Sequence, residues 1–283
     1  MNLRVISSHA QAIQTAPVLT AEEAIGIARK LAPLFAERAA HAEKIRRVPN
    51  ESIEELNASG LMRLMQPKQF GGSELGLGVL MDVTLEICKG CASTAWVYSN
   101  LASHSWNVGQ FEMRAQEDVW GDDPFALAAT ALAFPCGKAV PVEGGYKLSG
   151  KWPFCSGIDA CTWILVGAMT EQNGGAPQRR FFLVPQANYK SLDNWETYGL
   201  SGTGSHEVVI SDAFVPDHLS VSAEIFAAGQ NLPGAKLYSN KLFQMPTFAA
   251  YAYVLSIVPL GTAKAAVEQF TANMRNRAGT YTG

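Results

Sequence analysis

The hydrophobic pattern of this 283-residue chain changes its period twice, and this limits the possible folds more than any other feature. Up to about residue 122, apolar residues recur at the three- and four-residue spacing of helices. From Asp123-Pro124 onward the apolar runs are short, rich in β-branched and aromatic residues, and bounded by turn residues, which predicts strands. After Pro233-Gly234 an alanine-rich helical pattern returns. We therefore predict an α+β protein with the order helical, β, helical.

These changes predict three domains. The N-terminal helical domain covers 1–122 and the central β domain 123–222, while 235–283 holds only the start of a C-terminal helical domain. The last helical pattern, Leu242–Met274, is apolar over most of its circumference, so it needs partners to cover it. We expect this helix to pack between subunits, or the sequence to be truncated before further helices.

The N-terminal region carries local helix signals. Thr20-Ala-Glu-Glu23 is a capping box, and Pro33 should kink or split the helix that follows it. Another helix is predicted over Glu51–Ala58, with Gly60 placed to end it. Three more helices are predicted at Leu75–Cys88, Ala92–Trp106 and Arg114–Trp120.

The central region predicts a compact antiparallel barrel or sandwich, because short strands lie between Gly, Pro, Asn and Asp turns without intervening helices. The predicted strands are Tyr146–Leu148, Thr162–Val166, Arg180–Val184 and Glu207–Ile210.

Composition excludes several classes of protein. The chain is 48% hydrophobic and 17% charged, which excludes general disorder. Its net charge of −3 offers no basic excess for nucleic acid. The longest strongly apolar stretch, Phe248–Leu260, is too short to cross a bilayer, and the N-terminus lacks the pattern of a signal peptide. We expect a soluble, cytoplasmic protein with no nucleic-acid or membrane partner.

Local motifs give no support for a hydrolase, a kinase or a metalloenzyme. No P-loop, G-x-S-x-G, H-E-x-x-H or calcium loop occurs, and the histidines lack ligand spacing. Cys88-x-x-Cys91 has no second pair to complete a zinc site, and an odd count of five cysteines predicts reduced thiols. We interpret these two cysteines as buried thiols and predict no metal site.

Several motifs, in order, resemble the acyl-CoA dehydrogenase superfamily. Pro49–Gly72 is similar to its N-terminal helix pair and the turn that follows, Leu148–Gly157 to its flavin-contacting strand, and Phe214-Val-Pro216 to the end of its β domain. The resemblance implies an N-terminal helical domain, a central antiparallel β-barrel or sandwich, and a C-terminal helical bundle, of which only the start is present.

Three segments are more similar to the group D flavin monooxygenases, the oxygenase components of two-component systems. The resemblance implies reduced FMN or FAD supplied by a separate NAD(P)H-dependent reductase, and O2 as co-substrate. It further implies a flavin C4a-hydroperoxide that hydroxylates a small aromatic substrate, in a homo-oligomer that is a tetramer or a dimer. The segments are Ala92–Trp96 with His104-Ser-Trp106, Trp152–Gly157, and Gly199–Ser205.

The same resemblance assigns roles to particular residues. Ser156 would hold the proton on flavin N5, and His104 would hydrogen-bond a phenol or accept its proton. Trp152 and Phe154 would form walls of the flavin site.

Further flavin contacts are implied within the last motif and near the C-terminus. Thr203 and Ser205 would bind the flavin through hydroxyls or backbone, and Arg277 would reach a flavin phosphate, often across a subunit boundary. Ser201 stands where many members carry an arginine, so no contact is expected from it.

Three alternatives stay open. An acyl-CoA dehydrogenase needs a carboxylate base, and Glu268 is the one acid between Tyr238 and Gly283. Ala133-Phe134-Pro135 also stands where dehydrogenases usually carry a Thr-Glu-Pro type sequence. An S- or N-oxygenating relative would use the same flavin chemistry, and a non-catalytic remnant would keep only the fold.

Overall fold

The first helix begins at the predicted capping box and ends at Arg46, whose backbone is left-handed with φ of 58°. The computed structural model describes residues 17–171, 176–229, 231–275 and 277. Helix α1 (Ala21–Ile45) follows the predicted capping box, in which the Thr20 hydroxyl accepts from the Glu23 amide and the Glu23 carboxylate accepts from the Thr20 amide. The helix continues through Pro33, so the prediction of a split is wrong. Buried alanines on one face of α1, together with its contacts to the helix Leu77–Cys88, stabilise it on both sides of the proline.

The remaining N-terminal helices confirm the predicted pattern within two residues at each end. Gly60, with φ of 85°, follows the helix Asn50–Ala58 as expected. The helix Ala92–Val108 is the central helix of the region, since 14 of its 17 residues are buried. The bounds are Asn50–Ala58 for α2, Leu77–Cys88 for α3, Ala92–Val108 for α4 and Met113–Trp120 for α5.

The β region forms one eight-stranded sheet with the strand order β6-β7-β3-β2-β4-β5-β8, and β1 pairs with β4. All four predicted strands exist, and each is longer than predicted. The bounds are Ala128–Ala131 (β1), Gly137–Val142 (β2), Gly145–Cys155 (β3), Trp163–Thr170 (β4), Gln178–Pro185 (β5), Lys190–Leu192 (β6), His206–Pro216 (β7) and Ser220–Ser222 (β8).

The sheet is mixed, so the prediction of a wholly antiparallel region is wrong. Strands β1 and β2 both pair with β4 in parallel, one after the other along the same edge. The other pairings are antiparallel. Between β1 and β8 the described residues contain 3-10 turns but no α-helix, which agrees with the prediction that this is not a βαβ sheet.

The chain returns to helices after β8, as predicted. Helix α6 covers Ala223–Ala228 and helix α7 covers Thr247–Arg275. By length and composition α7 is long and apolar enough to cross a membrane. Its buried residues lie on a face that packs against α3 and α4, while only 28% of its most apolar stretch is buried. Residues 276 and 278–283, at the end of the predicted C-terminal region, lie outside the described residues.

The predicted thiols are buried. Cys88 and Cys91 lie in the core between the helices, where burial raises the pKa of Cys88 to about 11. Cys155 and Cys161 are buried as well, and burial raises both thiol pKa values. Neutral thiols are weak nucleophiles and poor metal ligands, so these cysteines act as apolar core residues.

Candidate active site

One face of α4 lines a cavity beside the sheet. Trp96, Asn100 and His104 follow one another at four-residue intervals, which places their side chains in a row along the helix. The opposite wall comes from β1 and from the end of β3. The loop between β6 and β7 and one residue of α7, Leu255, complete the lining.

The cavity has a volume of about 360 Å³ and is mostly apolar. None of its described lining residues carries a formal charge. Three aromatic side chains contribute, namely Trp96, Phe154 and Trp195. The polar side chains are those of Asn100, His104, Thr130, Ser156, Thr203 and Ser205.

Ser156 is the centre of a hydrogen-bond network in this cavity. Its Oγ lies 3.0 Å from the indole Nε1 of Trp96 and 2.7 Å from the Oγ of Ser205. Ser205 Oγ in turn lies 2.6 Å from Oγ1 of Thr203, which donates to the Leu200 carbonyl at 2.9 Å. The network therefore ends on the carbonyl oxygen of Leu200, which can only accept a hydrogen bond.

That end point fixes the direction of every hydroxyl proton. Since Thr203 donates to a carbonyl, it accepts from Ser205, and Ser205 accepts from Ser156. Trp96 can only donate, so Ser156 also accepts one bond from it. Ser156 Oγ therefore uses its proton and one lone pair, and it keeps one acceptor position for a ligand.

A bulge brings this serine to the cavity. The β3–β7 pairing shifts register between Trp152 and Cys155, and Phe154 in the bulge has φ of 63°. This left-handed conformation is unfavourable for a bulky residue, and such strain concentrates at functional sites. The ring of Phe154 is 68% exposed and meets Trp195 edge-on at 6.0 Å. The bulge thus presents an exposed aromatic ring at the cavity.

The glycine after Ser156 sets the distance between strand and helix. Gly157 has φ of 71°, and a Cβ there would lie 2.8 Å from Val97 of α4. Its amide donates to the Thr203 carbonyl at 2.9 Å. Glycine therefore allows the end of β3 to approach both α4 and the Thr203 turn, which brings the hydroxyls of Ser156, Thr203 and Ser205 together.

His104 is buried at the other end of the row. Its Nδ1 lies 2.8 Å from the Ala128 carbonyl, so Nδ1 carries the proton and donates. Burial lowers the pKa of His104 to about 4, so the ring is neutral near pH 7. Nε2 is then an acceptor, and the Thr130 hydroxyl donates to it at 3.1 Å.

Helix α7 packs behind this histidine. Tyr251 meets the His104 ring edge-on with centroids 6.3 Å apart, and its hydroxyl donates to Oδ1 of Asn107. Thr247 on α7 and Gln110 after α4 continue the polar contact. The first turns of α7 thus fix the orientation of α4.

Five predicted site residues line the cavity, and two do not. The five are His104, Phe154, Ser156, Thr203 and Ser205. Trp152 is fully buried beneath the sheet, where its indole donates to the Gly167 carbonyl at 2.8 Å. Arg277 is exposed after the end of α7 and does not line the cavity.

Sequence reasoning missed four of the polar or aromatic residues that line this cavity. Trp96 and Asn100 are one and two turns before His104, so their spacing was a usable signal. Thr130 and Trp195 lie on a short strand and an irregular loop and carry no comparable signal. Ser201 does not line the cavity, and its hydroxyl donates to Glu43 at 3.2 Å.

Nearly the full length of this chain aligns with known proteins. Residues 24–117 match the model of the acyl-CoA dehydrogenase N-terminal domain. The pigment production hydroxylase of Rhodococcus sp. is 34% identical over 262 residues, which are 93% of this chain and 67% of the relative. The chain is also 33% identical to HsaA of Mycobacterium tuberculosis, the oxygenase subunit of a flavin-dependent monooxygenase. It belongs to this family of oxygenase components. The family resemblance found in the sequence motifs is thereby confirmed, and so is the fold class.

A further relative and a solved structure of this family show a similar degree of identity to this chain. The oxygenase component of the FADH2-dependent resorcinol hydroxylase from Rhizobium sp. is 35% identical over 273 residues, 95% of this chain and 66% of that one. The structure of the HsaA monooxygenase from M. tuberculosis superposes with a TM-score of 0.85 at 33% identity, covering 88% of this chain and 68% of that chain. The chain spans about two thirds of the length of these relatives.

Proposed function

We propose that this protein is the oxygenase component of a two-component monooxygenase that hydroxylates a small aromatic substrate with reduced FMN or FAD and O2. In the overall reaction one oxygen atom is inserted into an aromatic C–H bond, and the other leaves as water with the two electrons of the reduced flavin and two protons. The observation that carries the proposal is the single unused acceptor position on Ser156, inside a cavity with an aromatic and apolar lining.

The residues present fit a flavin ring. Phe154 offers an exposed aromatic face, and the hydroxyls of Ser156, Thr203 and Ser205 lie together beside it. A bound reduced flavin would activate O2 and supply the oxygen atom that is transferred. This proposal leaves Trp152 outside the set of direct flavin contacts, because its indole is buried under the sheet.

Ser156 is proposed to hold a proton on the flavin. The N5–H group of a reduced flavin is a donor, and Ser156 has its own proton committed to Ser205 and one acceptor position free. A hydrogen bond from N5–H to this oxygen slows loss of that proton, which would otherwise release hydrogen peroxide instead of product.

His104 and Thr130 are proposed to orient the substrate hydroxyl. Nε2 of His104 is an acceptor, so a phenol can replace Thr130 as its donor or bond to Thr130 itself. The pKa of His104, about 4, is roughly six units below that of a typical phenol, so complete proton transfer is strongly unfavourable. A hydrogen bond that raises the electron density of the ring is therefore the favoured role for His104.

The cavity chemistry disfavours the acyl-CoA dehydrogenase alternative. That reaction needs a carboxylate beside the substrate, and no acidic residue lines the cavity among the described residues. Ala133, from the segment that differs from dehydrogenases, lies in the lining. Oxygenation of a sulfur or nitrogen atom is compatible with the same cavity and is separated from ring hydroxylation by product analysis.

Three further parts of the proposal concern the assembly. We propose that an NAD(P)H-dependent reductase supplies the reduced flavin in the cytoplasm, since relatives are named as oxygenase components. We also propose a homo-oligomer, either tetramer or dimer, in which Arg277 binds a flavin phosphate near a subunit boundary. The exposed apolar residues along α7, such as Leu260, Val267 and Phe270, support an interface there.

Rapid mixing tests this function directly. Anaerobic protein with reduced FMN or FAD is mixed with oxygenated buffer, and flavin reoxidation and hydrogen peroxide are followed. We expect reoxidation much slower than that of free flavin, and a hydroxylated product when a phenol is present. Reoxidation at the rate of free flavin, both for this chain and for a chain extended beyond Gly283, would contradict the proposal.

A further inference from the structure

The loop between β6 and β7, residues 193–205, supplies one aromatic wall of the cavity. Trp195 lines the cavity and meets the ring of Phe154 edge-on at 6.0 Å. Every other residue from 193 to 200 is exposed, and Tyr198 is fully so. Because exposed residues gain little from packing, the position of Trp195 depends on specific hydrogen bonds.

Both backbone groups of Trp195 are bonded to side chains of other elements. Its carbonyl accepts from Nη1 of Arg46 at 3.0 Å, and its amide donates to Nδ1 of His206 at 3.3 Å. A backbone amide can only donate, so Nδ1 of His206 carries no proton. The proton is then on Nε2, which faces Oδ2 of Asp159 at 3.3 Å. The peptide groups of Trp195 are therefore held between the end of α1 and the start of β7.

Arg46 uses a second guanidinium nitrogen on the same loop. Its Nη2 donates to Oδ1 of Asp193 at 2.6 Å, two residues before Trp195. The Asp193 side chain is 72% exposed and the Arg46 side chain 30% exposed, so the ion pair by itself contributes little. The value of the contact lies in its geometry, because one planar fork bonds a carboxylate and a carbonyl two residues apart and so fixes the angle of the loop.

The backbone of Arg46 is unusual for an arginine. It caps the C-terminal end of α1 with φ of 58° and ψ of 30°, a left-handed conformation that helices normally give to glycine or asparagine. Strain of this kind persists where the surrounding contacts determine the conformation, and it concentrates at functional sites. The strain is independent of the hydrogen bonds and indicates a specific role for this side chain.

The indole of Trp195 reaches the end of the hydroxyl network. Its Nε1 donates to the Leu200 carbonyl at 3.1 Å. The same carbonyl accepts from the Thr203 hydroxyl, where the network ends. At the other end of the network, the indole of Trp96 donates to Ser156. One indole from α4 and one from the β6–β7 loop thus hold the two ends of the network.

We propose that Arg46 is a positioning residue, which holds Trp195 so that its indole forms a wall of the cavity and bonds to the Leu200 carbonyl. Arg46 does not line the cavity and acts through Trp195. Displacement of the loop would move the acceptor of Thr203, and with it the hydroxyls that lead to Ser156. Where the inference concerns flavin binding, it rests on the proposed function.

The fluorescence of Trp195 tests the inference in the full chain without flavin. The signal of this indole is the difference between each protein and the same protein carrying Trp195→Phe. Arg46→Met keeps the long side chain and removes the fork. We expect the Trp195 emission in this variant to shift to longer wavelength and its quenching by acrylamide to rise about twofold. Arg46→Lys keeps the charge without the fork, so its signal should lie between those of the wild type and Arg46→Met.

Arg47→Met is the matched control variant. Arg47 is the next residue in the chain, is exposed, and lines a separate cavity. It should leave the Trp195 signal unchanged. An unchanged Trp195 signal in Arg46→Met, or the same change in Arg47→Met, would overturn the inference.

Anaerobic titration with reduced FAD extends the test to cofactor binding. We expect Arg46→Met to bind reduced FAD about fivefold more weakly than the wild type. In the Trp195→Ala background, Arg46→Met should have almost no further effect, because Arg46 acts through Trp195. Additive losses would show a general structural role for Arg46 and would overturn the inference. A wild-type chain that binds no reduced FAD would contradict the proposed function, and the Trp195 signal would then decide the inference by itself.

Discussion

The indole Nε1 of Trp96 donates a 3.0 Å hydrogen bond to Oγ of Ser156, which lies 60 positions later in the chain. This contact joins the central helix α4 to the bulged end of β3. Together with Ser205, it determines which lone pair of Ser156 faces a ligand. The direction of the free lone pair on Ser156 therefore depends on the indole of Trp96, a residue of helix α4.

Ser156→Ala should uncouple oxygen activation from hydroxylation. Loss of one hydrogen bond, worth about 1.4 kcal/mol, predicts a rise of about tenfold in the rate of hydrogen peroxide release, with substrate affinity nearly unchanged. The measurement is peroxide formed per reduced flavin consumed. Ser149→Ala, an exposed serine on the same strand, is the control and should behave like the wild type. Unchanged coupling in Ser156→Ala would remove the proposed role.

Trp96→Phe should give a weaker form of the same defect. The substitution keeps an aromatic ring and removes the donor to Ser156, so Ser156 can rotate away from its ligand-facing orientation. We expect peroxide release to rise about threefold to fivefold. In the Ser156→Ala background the same change should have almost no further effect, because the two residues act through one bond. Additive effects in this double-mutant cycle would show that Trp96 acts independently.

Protonation of His104 should weaken the fold in acid. Its folded pKa of about 4 is below the value of about 6.5 expected for an unfolded chain. The unfolded state therefore binds the proton more readily, so the contribution is complete above about pH 6.5 and is lost as the pH falls toward 4. Between pH 7.5 and about pH 5, the wild type should lose about 2 kcal/mol more unfolding free energy than His104→Gln.

Urea unfolding at the two pH values measures this difference. His41→Gln is the control, because His41 is exposed on α1 and should leave the pH dependence of the wild type intact. An identical pH dependence in His104→Gln and the wild type would show that His104 is not the titrating group.

The two aromatic residues of the Trp152–Gly157 motif should respond in opposite ways. Trp152→Phe removes a buried indole and its bond to Gly167, so we expect a loss of about 1–3 kcal/mol of stability with flavin affinity within about twofold. Phe154→Ala removes an exposed ring at the cavity. Flavin should then bind about fivefold to tenfold more weakly, with stability changed by less than about 0.5 kcal/mol.

Thermal unfolding and anaerobic flavin titration distinguish the two outcomes. The motif resemblance assigned both residues to the flavin site, so weaker flavin binding in Trp152→Phe at unchanged stability would favour that assignment over the position of Trp152 in the structure.

Local sequence signals predicted the helices well and the sheet only in part. The capping box at Thr20 and the glycine at position 60 act within a few residues, so the sequence alone locates both helix ends. Strand β1 (Ala128–Ala131) has mostly small side chains and β2 contains Pro141, so neither matches a strand pattern. Their parallel pairing with β4 depends on contacts distant in sequence. The division into three domains stays a prediction.

The candidate site was likewise predictable only where its residues follow a local sequence pattern. Periodicity places Trp96 and Asn100 with His104, so these residues were open to prediction. Alternation along β3 would put Trp152 and Phe154 on one face, but the bulge at Phe154 separates them, and no residue pattern indicated that bulge. Thr130 reaches His104 only because β1 pairs with β4.

The even spacing of Trp96, Asn100 and His104 gives the cavity a fixed scale. At a rise of about 1.5 Å per residue, the two ends of the row lie about 12 Å apart along α4. Because they belong to one rigid, buried helix, loop motions cannot stretch that separation. A relative that accepts a longer molecule must move one contact by a whole turn, about 5.4 Å, so substrate length in this family should change in steps and not continuously.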